Sequence, residues 1–131
     1  MQIRPAEVTD ISAVLPMVAS ICALHETWDS AKYSFLPNPQ QRYKQWLIAQ
    51  AKNDKSVFLV AEDPQTKQLG AFLIGIVERE IPIYRLREFG FIHDLWVEPQ
   101  YRHAGVAKQM VMLAIQHFQR IGNKGLALPN P

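Results

Sequence analysis

Glu88-Phe-Gly-Phe-Ile-His-Asp-Leu-Trp-Val-Glu-Pro-Gln-Tyr-Arg-His-Ala-Gly-Val-Ala-Lys-Gln-Met110 is the stretch that decides the fold, and it reads as strand, short loop, helix. Phe89, Phe91, Ile92, Leu95, Trp96 and Val97 are residues that favour a pleated, largely buried strand. Pro99 stops the ladder because it has no N–H to donate. From Arg102 the order R-x-x-G-x-A opens a helix that runs to about Gly122. Gly105 allows close approach of a ligand to the backbone, and the small Ala104 and Ala107 leave room beside it. The first N–H groups of a helix lack intrahelical acceptors and carry partial positive charge, which makes this a phosphate site. Arg102 and Lys108 add full charge at the same place.

Leu95-x-Val97-x-Pro99-x-Tyr101-Arg102-x-x-Gly105-x-Ala107, followed by an apolar helix, resembles the acyl-CoA-binding motif of the GNAT superfamily of N-acetyltransferases. The resemblance implies acetyl-CoA as cosubstrate, with its pyrophosphate on the loop at Arg102, His103, Ala104, Gly105, Val106, Ala107 and Lys108. It also implies that Leu95, Trp96 and Val97 hold the pantetheine arm as though it were an added strand.

The 131 residues bound a single domain, expected to span 1–131, with 48% hydrophobic and 20% charged residues as in ordinary globular proteins. A net charge of +2 with scattered basic residues gives no footprint for nucleic acid. The single Cys22 forms no internal disulfide, which fits a reducing cytoplasm. No leader-like N-terminus and no run of about 18 apolar residues is present, so neither secretion nor a membrane partner is expected. The histidines at 25, 93, 103 and 117 have no paired ligand spacing, so no metal is expected. Neither a G-x-S-x-G elbow nor a G-x-x-x-x-G-K-[ST] loop occurs.

In chain order, residues 2–4 form a short strand, edge-placed because Pro5 follows. Asp10 caps a helix with Ile11, Val14, Leu15, Val18, Ile21 and Cys22 at helical spacing and Pro16 inside it, where a kink or a looser first turn is expected. Asn38-Pro39 starts a second helix with Tyr43, Trp46, Leu47 and Gln50 on one side. Residues 56–62 and 70–77 make a hairpin around the turn residues 63–67, and 81–85 form an irregular link. The last helix carries Val106, Met110, Leu113, Ala114, His117, Phe118 and Ile121 on its apolar face. This succession indicates a mixed α/β (α+β) fold with antiparallel strands, not a doubly wound parallel sheet.

Strict alternation puts Phe91, His93, Leu95 and Val97 on one face of the central strand and Ile92, Asp94 and Trp96 on the other, unless a bulge intervenes. Acyl transfer to an amine needs a base, an oxyanion donor and a proton for the thiolate. His93 is the leading base, and the backbone N–H of Leu95 or Trp96 is the candidate oxyanion donor. Ile92-His93-Asp94-Leu95 is similar to the Leu-Glu-Asp-Leu of small-amine acetyltransferases, with His93 in the glutamate's place and Asp94 attracting a cationic acceptor. The bland alternative makes His93 a half-buried strand histidine with Asp94 as its partner. By the same resemblance, His25, Glu26, Trp28, Asp29 and Tyr33 are candidate rim residues of the acceptor pocket.

Relative to the family pattern the chain ends early, with Gly125 to Pro131 at most the start of a fifth strand. None of the tyrosines 33, 43, 84 and 101 maps onto the acid expected to protonate the thiolate. One edge of the central strand is therefore expected to be open, with three outcomes: completion by a homodimer partner, an incomplete chain that binds CoA poorly, or thiolate departure assisted only by water. The resulting expectation is an acetyl-CoA-dependent N-acetyltransferase of a small-molecule amine, with a C-terminally truncated GNAT-like fold. The alternative is a non-catalytic acyl-CoA-binding or dimerising remnant of such an enzyme.

Overall fold

A computed structural model describes residues 1–28, 39–79, 88–122 and 126–127. The elements are β1 (Gln2–Pro5), a 3-10 turn (Val8–Asp10), α1 (Ile11–Trp28), α2 (Pro39–Ala51), β2 (Val57–Glu62), β3 (Leu69–Arg79), β4 (Glu88–Val97), a second 3-10 turn (Pro99–Tyr101), α3 (Val106–Arg120) and β5 (Leu126–Ala127). The expected link at 81–85, together with Asp29 and Tyr33, lies outside the described residues, as do the side chains of His25, Glu26 and Trp28.

One five-stranded sheet in the order β1-β2-β3-β4-β5 forms the middle layer. Neighbours are antiparallel except β5, which pairs parallel to β4 only through Gly90–Leu126 and Phe91–Ala127. The mixed α+β expectation therefore holds, and Pro5 ends an edge strand as its missing N–H requires. The sheet is apolar on both faces because helices cover both. On one face α1 and α2 pack Val14, Met17, Val18 and Leu47 against Phe58, Val60, Phe72 and Ile74. On the other, α3 packs Val106, Met110, Ala114 and Phe118 against Leu59, Leu73, Ile92 and Val97.

Two local expectations are revised, at Asp10 and on α3. Asp10 directly precedes α1, but its carboxylate turns back to accept the Glu7 N–H at 2.7 Å and a two-pronged contact from Arg4 at 2.8 and 3.0 Å. α1 runs as one helix through Pro16, which has no N–H to give the ladder there. Leu113 and Ile121, expected in the core, are 39% and 38% exposed, because α3 meets the sheet along the single i, i+4 row of Val106, Met110, Ala114 and Phe118.

Phe118 sets how closely α3 approaches the sheet. Its ring lies over Gly75 of β3 and Gly90 of β4, where an added Cβ would meet ring atoms at 3.0 and 2.3 Å. The two glycines make a slot for the ring.

Candidate active site

The central strand does not alternate regularly. Ile74 pairs with Asp94 and Gly75 with Ile92, so His93 is the extra residue of a β-bulge. Ile92 then shares the α3 face with Leu95 and Val97, while His93, Asp94 and Trp96 face α1 and α2. This corrects the regular assignment, which put His93 with Leu95 and Val97, and Ile92 with Asp94.

The bulge brings His93 and Asp94 to one side and against α2. His93 Nδ1 lies 3.0 Å from Asp94 Oδ2, and the same oxygen accepts a short hydrogen bond from the Tyr43 hydroxyl. The His93 ring packs on Trp46 at a centroid distance of 4.8 Å and edge-on to Phe91 at 6.1 Å. Burial pushes the Tyr43 phenol far above its usual range, and the charge of Asp94 adds to this, so it remains a proton donor. Sequence reading placed Tyr43 only on one side of α2, with Trp46, Leu47 and Gln50. The available clue was that a buried phenol needs a polar partner.

Hydrogen-bond phase along β4 identifies which amides face outward. Glu98 N–H donates to Gly70 O at 2.8 Å, so by the Phe72–Trp96 register Glu98 and Trp96 direct their backbone groups at β3. Leu95 and Val97 direct theirs at the opposite edge. β5 covers that edge only at Gly90 and Phe91; beyond it, no strand covers the edge among the described residues. Of the two oxyanion candidates, Leu95 therefore has an outward N–H and Trp96 does not. The Val97 carbonyl is taken by Arg102 Nε at 2.7 Å, and the guanidinium carbon sits 4.8 Å from the Trp96 ring centre.

After the 3-10 turn, His103 at φ 66° and Gly105 at φ 81° curl the chain into α3. Among the described residues, no carbonyl accepts the backbone N–H groups of 103–108; the first such bond in α3 runs from Gln109 to Gly105 O at 3.1 Å. A Cβ placed on Gly105 would meet nothing within 4 Å. A cavity of about 360 Å³ opens there, lined by Leu95, Trp96, Val97, Tyr101, Arg102, His103, Gly105, Val106, Ala107 and Lys108. Ala104 is exposed beside it, and the buried Val106 side chain belongs to the core, which leaves its amide for a ligand. His93 and Asp94 do not line this cavity; they stand beyond Leu95 on the other face.

Two tyrosines are already engaged. Tyr43 is bonded to Asp94, and Tyr101 donates to Asp63 at 2.9 Å while its ring occupies the space a Gly70 Cβ would need. No group of three or more metal-ligating side chains occurs among the described residues, and none of the described helices is long and apolar enough to cross a membrane.

The sequence profile of the acetyltransferase (GNAT) family matches residues 21–130. Among solved structures, a tetramutant of the BH1408 protein from Bacillus halodurans aligns with TM-score 0.83 and 21% identity, over 100% of this chain and 83% of that one. The aminoglycoside 6'-N-acetyltransferase AAC(6')-IG from Acinetobacter haemolyticus aligns with TM-score 0.73 and 17% identity, over 99% and 79% of the two chains. Glucosamine-6-phosphate N-acetyltransferase from Arabidopsis thaliana aligns with TM-score 0.72 and 15% identity, over 99% and 82%. At these identities the likeness is one of fold. Comparison with curated protein sequences returns no significant match.

Proposed function

Because the chain belongs to the GNAT acetyltransferase family, whose members are acetyl-CoA-dependent, we propose that it acetylates the primary amine of a small molecule. The observation that carries this reading is the row of unpaired amides at 103–108, opening into the cavity beside an uncovered strand edge. Those amides and the vacant space at Gly105 suit a diphosphate, to which the Arg102 and Lys108 side chains add positive charge. The outward N–H and C=O of Leu95 offer the pantetheine arm a strand-like partner.

When bound, acetyl-CoA supplies an acyl carbonyl activated toward an amine. The N–H of Leu95 is the donor for charge developing on the carbonyl oxygen. His93 takes the proton that the amine loses as its nitrogen bonds to the acyl carbon and the C–S bond breaks. The departing thiolate then takes up one proton, returned by water or by the His93 imidazolium, so the reaction balances as amide plus thiol. Asp94 is spoken for by Tyr43 and His93, which directs it toward holding the base and away from binding a cationic acceptor.

Thiol release from acetyl-CoA over a panel of small amines tests the reading. His93→Gln is expected to lower the rate at saturating acetyl-CoA by about 10²-fold or more and to flatten its pH profile. An unchanged profile removes His93 as the base. Acetyl-CoA binding without turnover on any amine replaces the transferase with a binding module.

A further inference from the structure

The hydroxyl of Tyr43 lies on a helix remote in sequence from β4, yet it ends on the carboxylate that touches the candidate base. We propose that Tyr43 is a positioning residue which, through Asp94, holds His93 in the tautomer that carries its proton on Nδ1 and presents Nε2 as acceptor. This deepens the transferase reading and rests on it for its catalytic meaning.

The chemistry follows from donor and acceptor counts. An ionised carboxylate only accepts, so the 3.0 Å contact between Asp94 Oδ2 and His93 Nδ1 requires the proton on Nδ1. A neutral imidazole then has its lone pair on Nε2. The Tyr43 hydroxyl, donating to the same oxygen, holds the Asp94 carboxylate in the position that makes this contact. The phenol stays protonated, so this second anchor is present across the working pH range. The bulge is what allows the arrangement. In a regular strand, His93 and Asp94 would project to opposite faces, and one helix could not reach the carboxylate that holds the histidine. Trp46 and Phe91 fix the ring plane by packing. Among the described residues, the titratable groups seen on this side besides His93 are Asp94 of β4, Tyr43 of α2 and Cys22 of α1, whose charge would act on Tyr43.

The test compares wild type, Tyr43→Phe and Asp94→Asn. Nitrogen-15 NMR of the imidazole reads the tautomer, and rate against pH is measured on any amine the protein turns over. Wild type is expected to show a protonated Nδ1 and an unprotonated Nε2 in the neutral ring. Tyr43→Phe keeps the ring packed on Trp46 but is expected to mix the tautomers and lower kcat about 5- to 10-fold with KM for acetyl-CoA unchanged. Asp94→Asn is expected to favour the Nε2–H tautomer and depress kcat further. A wild-type ring protonated on Nε2, or a tautomer and kcat unmoved by Tyr43→Phe, overturns the positioning role. If no amine is acetylated, the transferase reading falls by itself, while the spectra still decide whether Tyr43 and Asp94 set the tautomer.

Discussion

Gly90→Ala probes how α3, and with it the amide cradle, is held against β4. The new Cβ would stand 2.3, 2.5 and 2.7 Å from three ring atoms of Phe118. The nearest approach is about 1 Å short of ordinary contact, and the obstacle is an aromatic ring that is only 2% exposed, with no free end to swing away. The ring also lies against Gly75, so α3 or β4 has to shift. Overpacking of this kind costs about 1–3 kcal/mol, which for a domain of this size lowers Tm by roughly 4–12 °C. Urea and thermal unfolding followed by circular dichroism measure it. In a Phe118→Leu background, where the side chain is smaller, the added methyl is expected to cost less than about 0.5 kcal/mol, with coupling of at least about 0.5 kcal/mol between the two sites. If Gly90→Ala costs the same in both backgrounds, the ring-in-slot account is wrong.

Other outcomes follow from the same structure. Arg4, by its side-chain bonds, holds the Asp10 carboxyl below its ordinary range, so this group's stabilisation is present above the unfolded carboxylate pKa of about 4 and is lost as pH falls through the folded value. Asp10→Asn should therefore be less stable at neutral pH but show a shallower acid decline in urea midpoint between about pH 5 and 2; a parallel decline would dismiss the pair as a source of acid sensitivity. Gly105→Ala meets no clash, but its φ of 81° costs about 1–2 kcal/mol, and the methyl enters the open space of the cradle. Isothermal titration is expected to show CoA affinity reduced about 10-fold or more with Tm only a few degrees lower, and unchanged affinity would place the diphosphate elsewhere.

What could be read from the sequence was backbone chemistry. Pro99 as a ladder stop, Gly105 as the step into α3 and the apolar run of β4 each have one physical meaning, and the structure has them at those places. The bulge at His93 left no such mark, because no glycine signals it and an extra residue alters register, not composition. Regular phasing therefore set Ile92 beside Asp94, when Ile92 in fact joins Leu95 on the α3 face. Tyr43 was visible only as part of an apolar stripe, since which carboxylate its hydroxyl meets depends on long-range packing of α2 on β4. The exposure of Leu113 and Ile121 has a similar origin: the apolar stripe on α3 is wider than the row of Val106, Met110, Ala114 and Phe118 that meets the sheet.

The central claim is that a CoA diphosphate rests on the free amides before and within the first turn of α3. Titrating CoA into nitrogen-15-labelled protein and following each backbone amide measures this directly. The account predicts saturable shifts that are largest at 103–108, with a second group at Leu95 and its neighbours. Shifts centred on any other surface, or none at millimolar CoA, would contradict it.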